Sequence, residues 1–156
     1  MYEKSLIIMK PDALQRRLFG RIMQRFEDAG LKVHAMRLET ATVEKSREHY
    51  AEHADKPFYP TLEEYITSGP VVVMVIGGLG AIPKIRLMLG ATKPSEAAPG
   101  TIRGDFAHQT MGSGPLRNLV HASANAEDAA REIALWFKDD EIVDYPIVDD
   151  AIHGIG

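Results

Sequence analysis

One histidine stands apart by its position in the chain. His121 lies in the short apolar segment RNLVHAS (117–123), between a Gly/Pro-rich stretch and a helical pattern. The ordinary pKa of imidazole is near 6.5, so at neutral pH most of it is uncharged and one ring nitrogen offers a lone pair. Such a nitrogen can attack a γ-phosphate, and a phosphohistidine divides transfer between two nucleotides into two in-line steps. A histidine in an apolar segment can equally be a buried structural residue, so both interpretations are open.

A nucleophilic histidine needs a hydrogen-bond acceptor at its second ring nitrogen, which fixes the tautomer and stabilises positive charge as it develops. Glu132 is the candidate, because it lies at the edge of the apolar stripe predicted for the helical segment 125–137. That stripe consists of Ala126, Ala129, Ala130, Ile133 and Phe137. Without a histidine nearby, Glu132 would be an ordinary carboxylate on a helix surface.

Four cations could bind phosphate groups: Lys10, Arg86, Arg103 and Arg117. Each lies at or beside the end of a predicted element and borders a loop, where ligand sites concentrate. A guanidinium fork suits non-bridging phosphate oxygens, and a lysine at a strand tip supplies a point charge. Taken singly, each could be a solvated surface charge, but their shared placement favours a phosphate site.

A second pair of histidines has the spacing of metal ligands. His49 and His53 are four residues apart, which places two side chains on one face of a helix. Glu48 and Glu52 stand beside them, and such a charged pattern is typical of a solvated face. We therefore predict that this pair faces solvent and holds no metal.

Composition and motifs exclude several other kinds of site. The 156 residues include no cysteine, which rules out disulfides, thiolate metal sites and cysteine nucleophiles. No G-x-x-x-x-G-K-[ST] occurs, and after the glycines at 77–80 the chain has Pro83 where a dinucleotide fingerprint needs glycine. The net charge of −4 disfavours nucleic acid as the main partner. The apolar run before Lys10 is too short for a signal peptide or a membrane span, so we expect a cytoplasmic protein with no membrane partner.

The hydrophobic pattern predicts the elements that must position these residues. Strands are expected over 5–10, 32–40, 71–76 and 118–122. Helices are expected over 19–29, 43–54, 61–67, 80–89 and 125–137. The last is capped by Asn125 or Ser123, and Glu127 pairs with Arg131 along it. Residues 90–116, rich in glycine, proline, threonine and serine, are typical of a functional or disordered loop.

This order of elements predicts an α+β fold of the ferredoxin-like, split βαβ type. We expect a four-stranded antiparallel sheet covered by helices on one face, with the apolar strand 71–76 at its centre. The length fits one domain over residues 1–156. Because this architecture hosts enzymes, regulators and RNA-binding modules, the fold alone does not decide the function.

Seven segments, in order along the chain, closely resemble the nucleoside diphosphate kinase family. They are MKPDALQRRLFG (9–20), HYAEHADKPFYP (49–60), SGPVVVMV (68–75), RLMLGATKP (86–94), PGTIRGDF (99–106), RNLVHAS (117–123) and REIALWF (131–137). Several independent segments are more specific than one motif, so the resemblance favours the nucleophile interpretation of His121. It implies a ping-pong enzyme, in which a nucleoside triphosphate, typically ATP, phosphorylates His121 and a nucleoside diphosphate then removes the group.

The resemblance also implies a role for each site residue. Glu132 orients His121, and Tyr50 lies near it. The resemblance implies that Lys10, Arg103 and Asn118 contact the phosphates and the ribose hydroxyls, and that Lys10 also orients the γ-phosphate. It implies that Arg86 and Thr92 contact the distal phosphates. Phe58 stacks on the base, and base stacking of this kind predicts broad nucleotide tolerance. Mg²⁺ is carried by the nucleotide phosphates and water, in keeping with a sequence that shows no cluster of carboxylates at ligand spacing. The family also forms homo-oligomers, so we expect at least a dimer and favour a hexamer.

Two departures from the family pattern leave questions open. The link between Gln109 and Arg117 is short in the family, whereas this chain has the longer TMGSGPL (110–116), so base preference is not determined. The family's H-[GA]-S-D-S is here HASAN (121–125), with Ala124 in place of the aspartate. Both departures favour the alternative of a nucleotide-binding regulatory module without catalysis, and the retained site residues count against it. A structural or RNA-binding domain is a third possibility, which the acidic balance disfavours.

Overall fold

The computed structural model describes residues 1–109, 112 and 114–154, with only the backbone of His153. Four strands form one sheet in the order β2-β3-β1-β4. They are β1 (Tyr2–Met9), β2 (Lys32–Thr40), β3 (Pro70–Leu79) and β4 (Val120–Ala122). Every neighbouring pair is antiparallel, with Ile7 opposite Met74 and Ile8 opposite His121. The predicted fold class and the central position of β3 are confirmed.

Eight α-helices are present in the described part of the chain. They are α1 (Pro11–Gln15), α2 (Phe19–Asp28), α3 (Val43–His49), α4 (Tyr59–Ile66), α5 (Ala81–Leu89), α6 (Ile102–Phe106), α7 (Ala126–Trp136) and α8 (Val148–His153). Single 3₁₀ turns lie at 51–53, 94–96 and 139–141. Within the described ranges, no helix is both long and apolar enough to cross a membrane.

Helices cover both faces of the sheet, so the prediction of helices on one face only was wrong. Val72, Met74 and Ile76 of β3 pack with residues of α2 and α5, whereas Val71, Val73 and Val75 pack with residues of α4 and α7. The physical reason is the unbroken apolar run of β3, which leaves no polar face for water and must be buried on both sides. The extra cover comes from α3 and α4, inserted between β2 and β3, and from α7, which follows β4.

Two predicted elements differ in detail. The segment 90–116 is not loop throughout, because Thr101 accepts a hydrogen bond from the Gly104 backbone N–H and caps α6, which carries Arg103. In α7 the predicted Asn125 cap is confirmed: its side chain accepts from the backbone N–H of Asp128. The buried stripe, however, is Ala129, Glu132 and Trp136 rather than one that includes Ala126 and Ala130, which are exposed.

The chain after α7 folds back onto the far edge of the sheet. Lys32 Nζ, on the edge strand β2, donates to the backbone oxygen of Tyr145 (2.7 Å) and to Asp150 Oδ2 (3.0 Å). His34 of the same strand makes two hydrogen bonds with Val143. Its backbone oxygen accepts from the Val143 N–H, and its ring Nδ1 lies 2.9 Å from the Val143 carbonyl oxygen. The C-terminal segment is therefore held by buried polar groups at the opposite edge of the sheet from β4.

Candidate active site

A cavity of about 1110 Å³ opens beside the ends of β1 and β4. All nine residues singled out as the nucleotide and catalytic site line it: Lys10, Tyr50, Phe58, Arg86, Thr92, Arg103, Asn118, His121 and Glu132. The fourth candidate cation, Arg117, lies over the ring of Tyr65 instead. Residues that are far apart in sequence thus meet at one place, as expected of a site built on loops and strand ends.

His121 is held in a fixed orientation by α7. Its Nε2 lies 3.0 Å from Glu132 Oε2, and the same oxygen accepts a hydrogen bond from the Ser123 hydroxyl at 2.7 Å. The Ser123 oxygen in turn accepts from the backbone N–H of Leu6 at 3.0 Å, which ties this group to β1. Glu132 is only 4% exposed. Because a buried carboxylate accepts a proton-bearing nitrogen, Nε2 carries the hydrogen and Nδ1 keeps the lone pair.

The electrostatic surroundings keep the His121 ring neutral. Burial, then the cationic side chains of Lys10, Arg103 and Arg86, lower the pKa of His121 to about 3, against the opposing effect of Asp128. The side chain is still 19% exposed, so the ring is open to the cavity. A neutral imidazole with an accessible lone pair among cations is suited to attack an anionic phosphorus centre.

A chain of hydrogen bonds fixes the lysine at the tip of β1. Lys10 Nζ donates to Asn118 Oδ1 at 2.6 Å, and Asn118 Nδ2 donates to the backbone oxygen of Thr92 at 2.9 Å. Burial and the nearby Arg103 lower the pKa of Lys10 to about 7, while Asp12 opposes the shift. Lys10 and Asn118 are 6% and 3% exposed, whereas Thr92 and Arg86 lie at the open mouth. The cavity therefore presents two buried polar groups and two exposed ones to a phosphate chain.

Arg103 joins two backbone segments through three carbonyl groups. Its guanidinium donates to the carbonyl oxygens of Gly90 (3.0 Å), Asn118 (3.2 Å) and Val120 (2.6 Å). Burial and the neighbouring Arg86 lower its pKa to about 10, so it remains protonated at neutral pH. Between the two strand-end carbonyls, Leu119 has a φ of 70°, a left-handed conformation that is strained for a leucine. This turn directs the carbonyls of 118 and 120 to the same arginine.

His49 is the site residue that sequence reasoning missed. It was predicted on a solvated face, but it is only 3% exposed, lines the cavity and lies edge-on to His121 with the ring centroids 4.5 Å apart. The signal that could have found it is the spacing of Ser46, His49 and Tyr50, which repeats at i, i+3 and i+4 on the buried side of α3. His53, by contrast, is half-buried at the rim beside Phe58.

Three of these side chains are close enough to hold a metal ion. Ligand atoms of His49, His121 and Glu132 all lie within 4.8 Å of one another. The Glu132 carboxylate is already shared by hydrogen bonds from His121 and Ser123. Lys10, Arg103 and Arg86 also face the cavity, and their charge opposes a bare cation there. The arrangement fits anionic phosphates better than a metal bound by these three residues.

Another end of the cavity lining is exposed and largely apolar. Phe58 is 52% exposed and Leu116 is 39% exposed, and Thr61, Leu62 and Pro115 also lie on the lining. The predicted insertion at 110–116 contributes Pro115 and Leu116 to this end, while Thr110, Met111 and Ser113 lie outside the described residues. An exposed aromatic ring such as that of Phe58 can stack on a planar ring.

A carboxylate lines the cavity one helical turn beyond position 124. Ala124 and Asp128 both lie on the lining, and Asp128 is close enough to raise the pKa of His121. Asp128 accepts a hydrogen bond from Asn125 Nδ2 at 2.9 Å and lies 3.6 Å from Arg131. The predicted pair of Glu127 with Arg131 is replaced by contacts of Arg131 with Asp128 and, at 3.8 Å, with Glu132.

Comparison with known proteins agrees with this geometry. The family model described as nucleoside diphosphate kinase matches residues 3–142. A nucleoside diphosphate kinase of Methanobrevibacter smithii is 53% identical over 97% of this chain and 98% of its own length. The enzyme of the same name from Pyrococcus abyssi is also 53% identical, over 99% of this chain and 96% of its own.

Solved structures give the same result. A transition-state mimic of nucleoside-diphosphate kinase from Borrelia burgdorferi, with bound vanadate and ADP, superposes with a TM-score of 0.94 at 36% identity, covering 99% of this chain and 98% of that chain. A halophilic nucleoside diphosphate kinase from Halobacterium salinarum, in complex with CDP, has a TM-score of 0.88 at 44% identity over 97% of this chain and 98% of that chain.

Proposed function

The chain belongs to the nucleoside diphosphate kinase family and is a phosphotransferase, and we propose that it transfers the γ-phosphoryl group through a covalent intermediate on His121. In the first half-reaction the Nδ1 lone pair attacks the γ-phosphorus. The bond from that phosphorus to the bridging oxygen breaks, and its electrons leave with the nucleoside diphosphate. In the second half-reaction a terminal oxygen of another diphosphate attacks the phosphorus and the nitrogen leaves.

One observation carries this proposal: a neutral His121 has its Nε2 bound to Glu132 while its other nitrogen is free for the cavity. As the nitrogen–phosphorus bond forms, positive charge develops on the ring. The buried Glu132 carboxylate, held by Ser123, lies opposite that charge and stabilises it without having to move. The leaving diphosphate meets Lys10 and Arg103, both already fixed by hydrogen bonds.

Nucleotide binding divides between these elements. Lys10 and Arg103 supply buried positive charge to the phosphates, and Arg86 and Thr92 supply contacts at the mouth. Asn118, which already bridges Lys10 and Thr92, keeps one N–H for a ribose hydroxyl or a phosphate oxygen. Tyr50, buried beside His121 with no hydrogen-bond partner for its hydroxyl among the described residues, can donate to the phosphoryl group. The base stacks on Phe58, a contact open to every base.

Mg²⁺ enters with the nucleotide in this proposal. The cavity is lined by cations and Glu132 already accepts hydrogen bonds from the protein, so both features argue against a bare resident ion. A hydrated ion carried by the phosphates needs only a hydrogen-bond acceptor for its water molecules. Asp128 is suited to that, because it lies on the lining where the family's aspartate at 124 is missing. When bound, the ion neutralises phosphate charge and orients the phosphate chain.

The phosphoenzyme test separates this function from a catalytically inactive regulatory module. With γ-labelled ATP and Mg²⁺ the protein should acquire acid-labile label, and GDP should remove it. His121→Ala should take up no label, whereas the exposed His108→Ala should label like the wild type. An unlabelled wild type, or a fully labelled His121→Ala, would refute the enzyme mechanism. Label that GDP leaves in place would mean autophosphorylation without transfer.

Assembly and location complete the proposal. We propose a homo-oligomer, at least a dimer and preferably a hexamer, since β2 is an edge strand that exposes Met36 (54%) and Leu38 (66%). Residues 1–156 act as one domain, since the C-terminal segment is tied to β2 by Lys32. Light scattering on the purified protein tests the assembly. The cytoplasmic location is tested by cell fractionation.

A further inference from the structure

None of the proposed phosphotransfer steps uses His49, although its ring lies closer to His121 than any other ring in the described structure. Its ring centroid is 4.5 Å from that of His121, at an interplanar angle of 80°. It is 3% exposed, so its environment is that of the protein interior and the cavity. A buried polar ring in contact with the nucleophile needs a physical explanation.

The tautomer of His49 is fixed from the outside by α7. The indole Nε1–H of Trp136 donates to His49 Nδ1 at 3.2 Å. An indole N–H can only donate, so His49 Nδ1 must be the acceptor. Burial, then the neighbouring His121 ring and the cations Arg131 and Lys10, lower the pKa of His49 well below its ordinary value, against the opposing effect of Glu132, and the ring is therefore neutral. A neutral imidazole whose Nδ1 accepts carries its hydrogen on Nε2.

That Nε2–H has no partner within the described part of the protein. It is one of three buried side-chain polar atoms without one there, and the others, Tyr50 Oη and His53 Nδ1, belong to residues that line the same cavity. Leaving a buried donor unpaired costs about 1–3 kcal/mol. Its persistence is explained if the partner arrives with the substrate. A ring nitrogen of His49 also lies within 4.8 Å of ligand atoms of His121 and Glu132.

We propose that His49 donates a hydrogen bond from Nε2–H to a non-bridging oxygen of the phosphoryl group as it is transferred to and carried on His121. The inference rests on the proposed phosphohistidine mechanism and adds a residue to it. Glu132 and Ser123 hold the far side of the His121 ring, and Trp136 holds the far side of the His49 ring. One helix thereby presents a nucleophile and a neutral donor to the same phosphoryl group. No proton is transferred by His49.

Nitrogen-15 NMR of imidazole-labelled protein tests the proposal directly. The free enzyme should show His49 as the Nε2–H tautomer. On phosphorylation with ATP, the His49 Nε2–H signal should shift towards a stronger hydrogen bond. His34 is a matched internal control, because it is a buried histidine with both nitrogens already partnered, by Tyr2 and by Val143, and its signals should not move.

Kinetics of three variants separate donation from packing. His49→Phe keeps the ring and loses the donor, so kcat should fall about 10- to 100-fold, as expected for the loss of one donor to transition-state charge. His49→Gln restores an N–H near the same position and should recover part of that loss. Trp136→Phe leaves Nδ1 unbonded and lets both tautomers form, so it should cost less than His49→Phe. Each variant is compared by thermal unfolding, so that loss of fold is not mistaken for loss of donation.

The outcomes separate the role of His49 from phosphotransfer through His121. An Nδ1–H tautomer, an unmoved His49 signal in a protein whose His121 is phosphorylated, or a His49→Phe enzyme within twofold of wild-type kcat would each overturn the role of His49 and leave the phosphohistidine mechanism intact. Absence of label on wild-type His121 would refute both the phosphohistidine mechanism and the role of His49.

Discussion

The two ends of the cavity are built in different ways. At the phosphate end the side chains around His121 are buried and already hydrogen-bonded: Arg103 and Glu132 are each 4% exposed and Asn118 is 3% exposed. At the base end the lining is exposed and apolar, with Phe58 at 52% and Leu116 at 39%. The first end is fixed before a nucleotide arrives, whereas the second offers a surface on which any base can stack.

This difference separates chemistry from recognition. A preorganised polar end stabilises a defined charge distribution and loses activity sharply when one group is removed, because the others are left unpaired. An exposed apolar end contributes contact area and tolerates change. Substitutions at the phosphate end should therefore lower kcat by large factors, and those at the base end should mainly raise KM, by smaller factors.

The largest effect is expected at Arg103. In Arg103→Met the carbonyls of Gly90, Asn118 and Val120 lose their donor, and a phosphate loses its buried cation. We expect kcat/KM to fall at least about 10³-fold and the free energy of unfolding to fall by about 2–4 kcal/mol. Steady-state kinetics and urea unfolding measure the two. Arg37→Met is the control, because that arginine is half-exposed on β2. An equal loss of activity in Arg37→Met would mean that the effect of Arg103→Met does not depend on its place at the phosphate end.

Glu132→Gln comes next. The amide keeps the shape of the carboxylate but no longer opposes the charge that develops on His121, and its own N–H can favour the wrong tautomer. We expect kcat to fall by about 10²-fold or more, with KM changed little. Rapid-quench measurement of phosphoenzyme formation checks this directly. A phosphorylation rate within a factor of three of the wild type would show that Glu132 does not orient the nucleophile.

Proton uptake at Lys10 gives an intermediate effect. With a pKa of about 7 in the free protein, Lys10 is mostly neutral above that pH, and bound phosphates favour its protonated form. Nucleotide binding should thus take up protons above pH 7, and the Kd of ADP should rise with pH by up to about tenfold per unit. Calorimetry in two buffers of different ionisation enthalpy measures the uptake. Lys10→Arg, which stays charged, should abolish it.

Phe58→Ala tests the base end. Loss of a stacking platform costs about 1–3 kcal/mol per base, so the KM of a nucleoside diphosphate should rise several-fold or more while kcat changes less. The rise should be similar for ADP, GDP and CDP. Leu87→Ala, at an exposed position outside the cavity, should leave all three unchanged. A rise confined to one base would mean that this end reads base identity.

The smallest effect is expected at Leu116. This residue lies at the end of the inserted segment and is 39% exposed, so little contact is lost in Leu116→Ala. We expect KM to change less than about threefold, because partly exposed apolar side chains contribute little. Competition among nucleoside diphosphates in one reaction mixture would reveal any base preference. A change of kcat by tenfold would show that the insertion reaches the phosphate end.

The sequence predicted the phosphate end better than its surroundings. Lys10, Arg103 and His121 could be found because each lies in a segment with a recognisable order of residues, and the apolar run of β3 predicted the sheet centre. His49 was missed because its neighbours Glu48 and Glu52 suggested a solvated helix, while the opposite side of the same helix is buried. Tertiary packing decides between two faces of a short helix, and local charge pattern does not.

Local sequence patterns also could not predict which helices cover the second face of the sheet, or that Asp128 lines the cavity. An unbroken apolar strand implies cover on both sides, but which later segments supply it depends on how the chain returns. Asp128 could be read only as a residue of the first helical turn; its place on the cavity wall depends on the Asn125 cap, which sets where that turn begins.

Helix α7 carries Glu132 and Trp136 four residues apart, and the first sets the proton of His121 while the second sets that of His49. Successive residues of a helix are about 100° apart around its axis. Inserting or deleting one residue between Asn125 and Glu132 would therefore turn both side chains away from their histidines together. The length of this stretch is under stricter constraint than most of its side chains, and descendants of this chain should vary there by substitution and not by change of length.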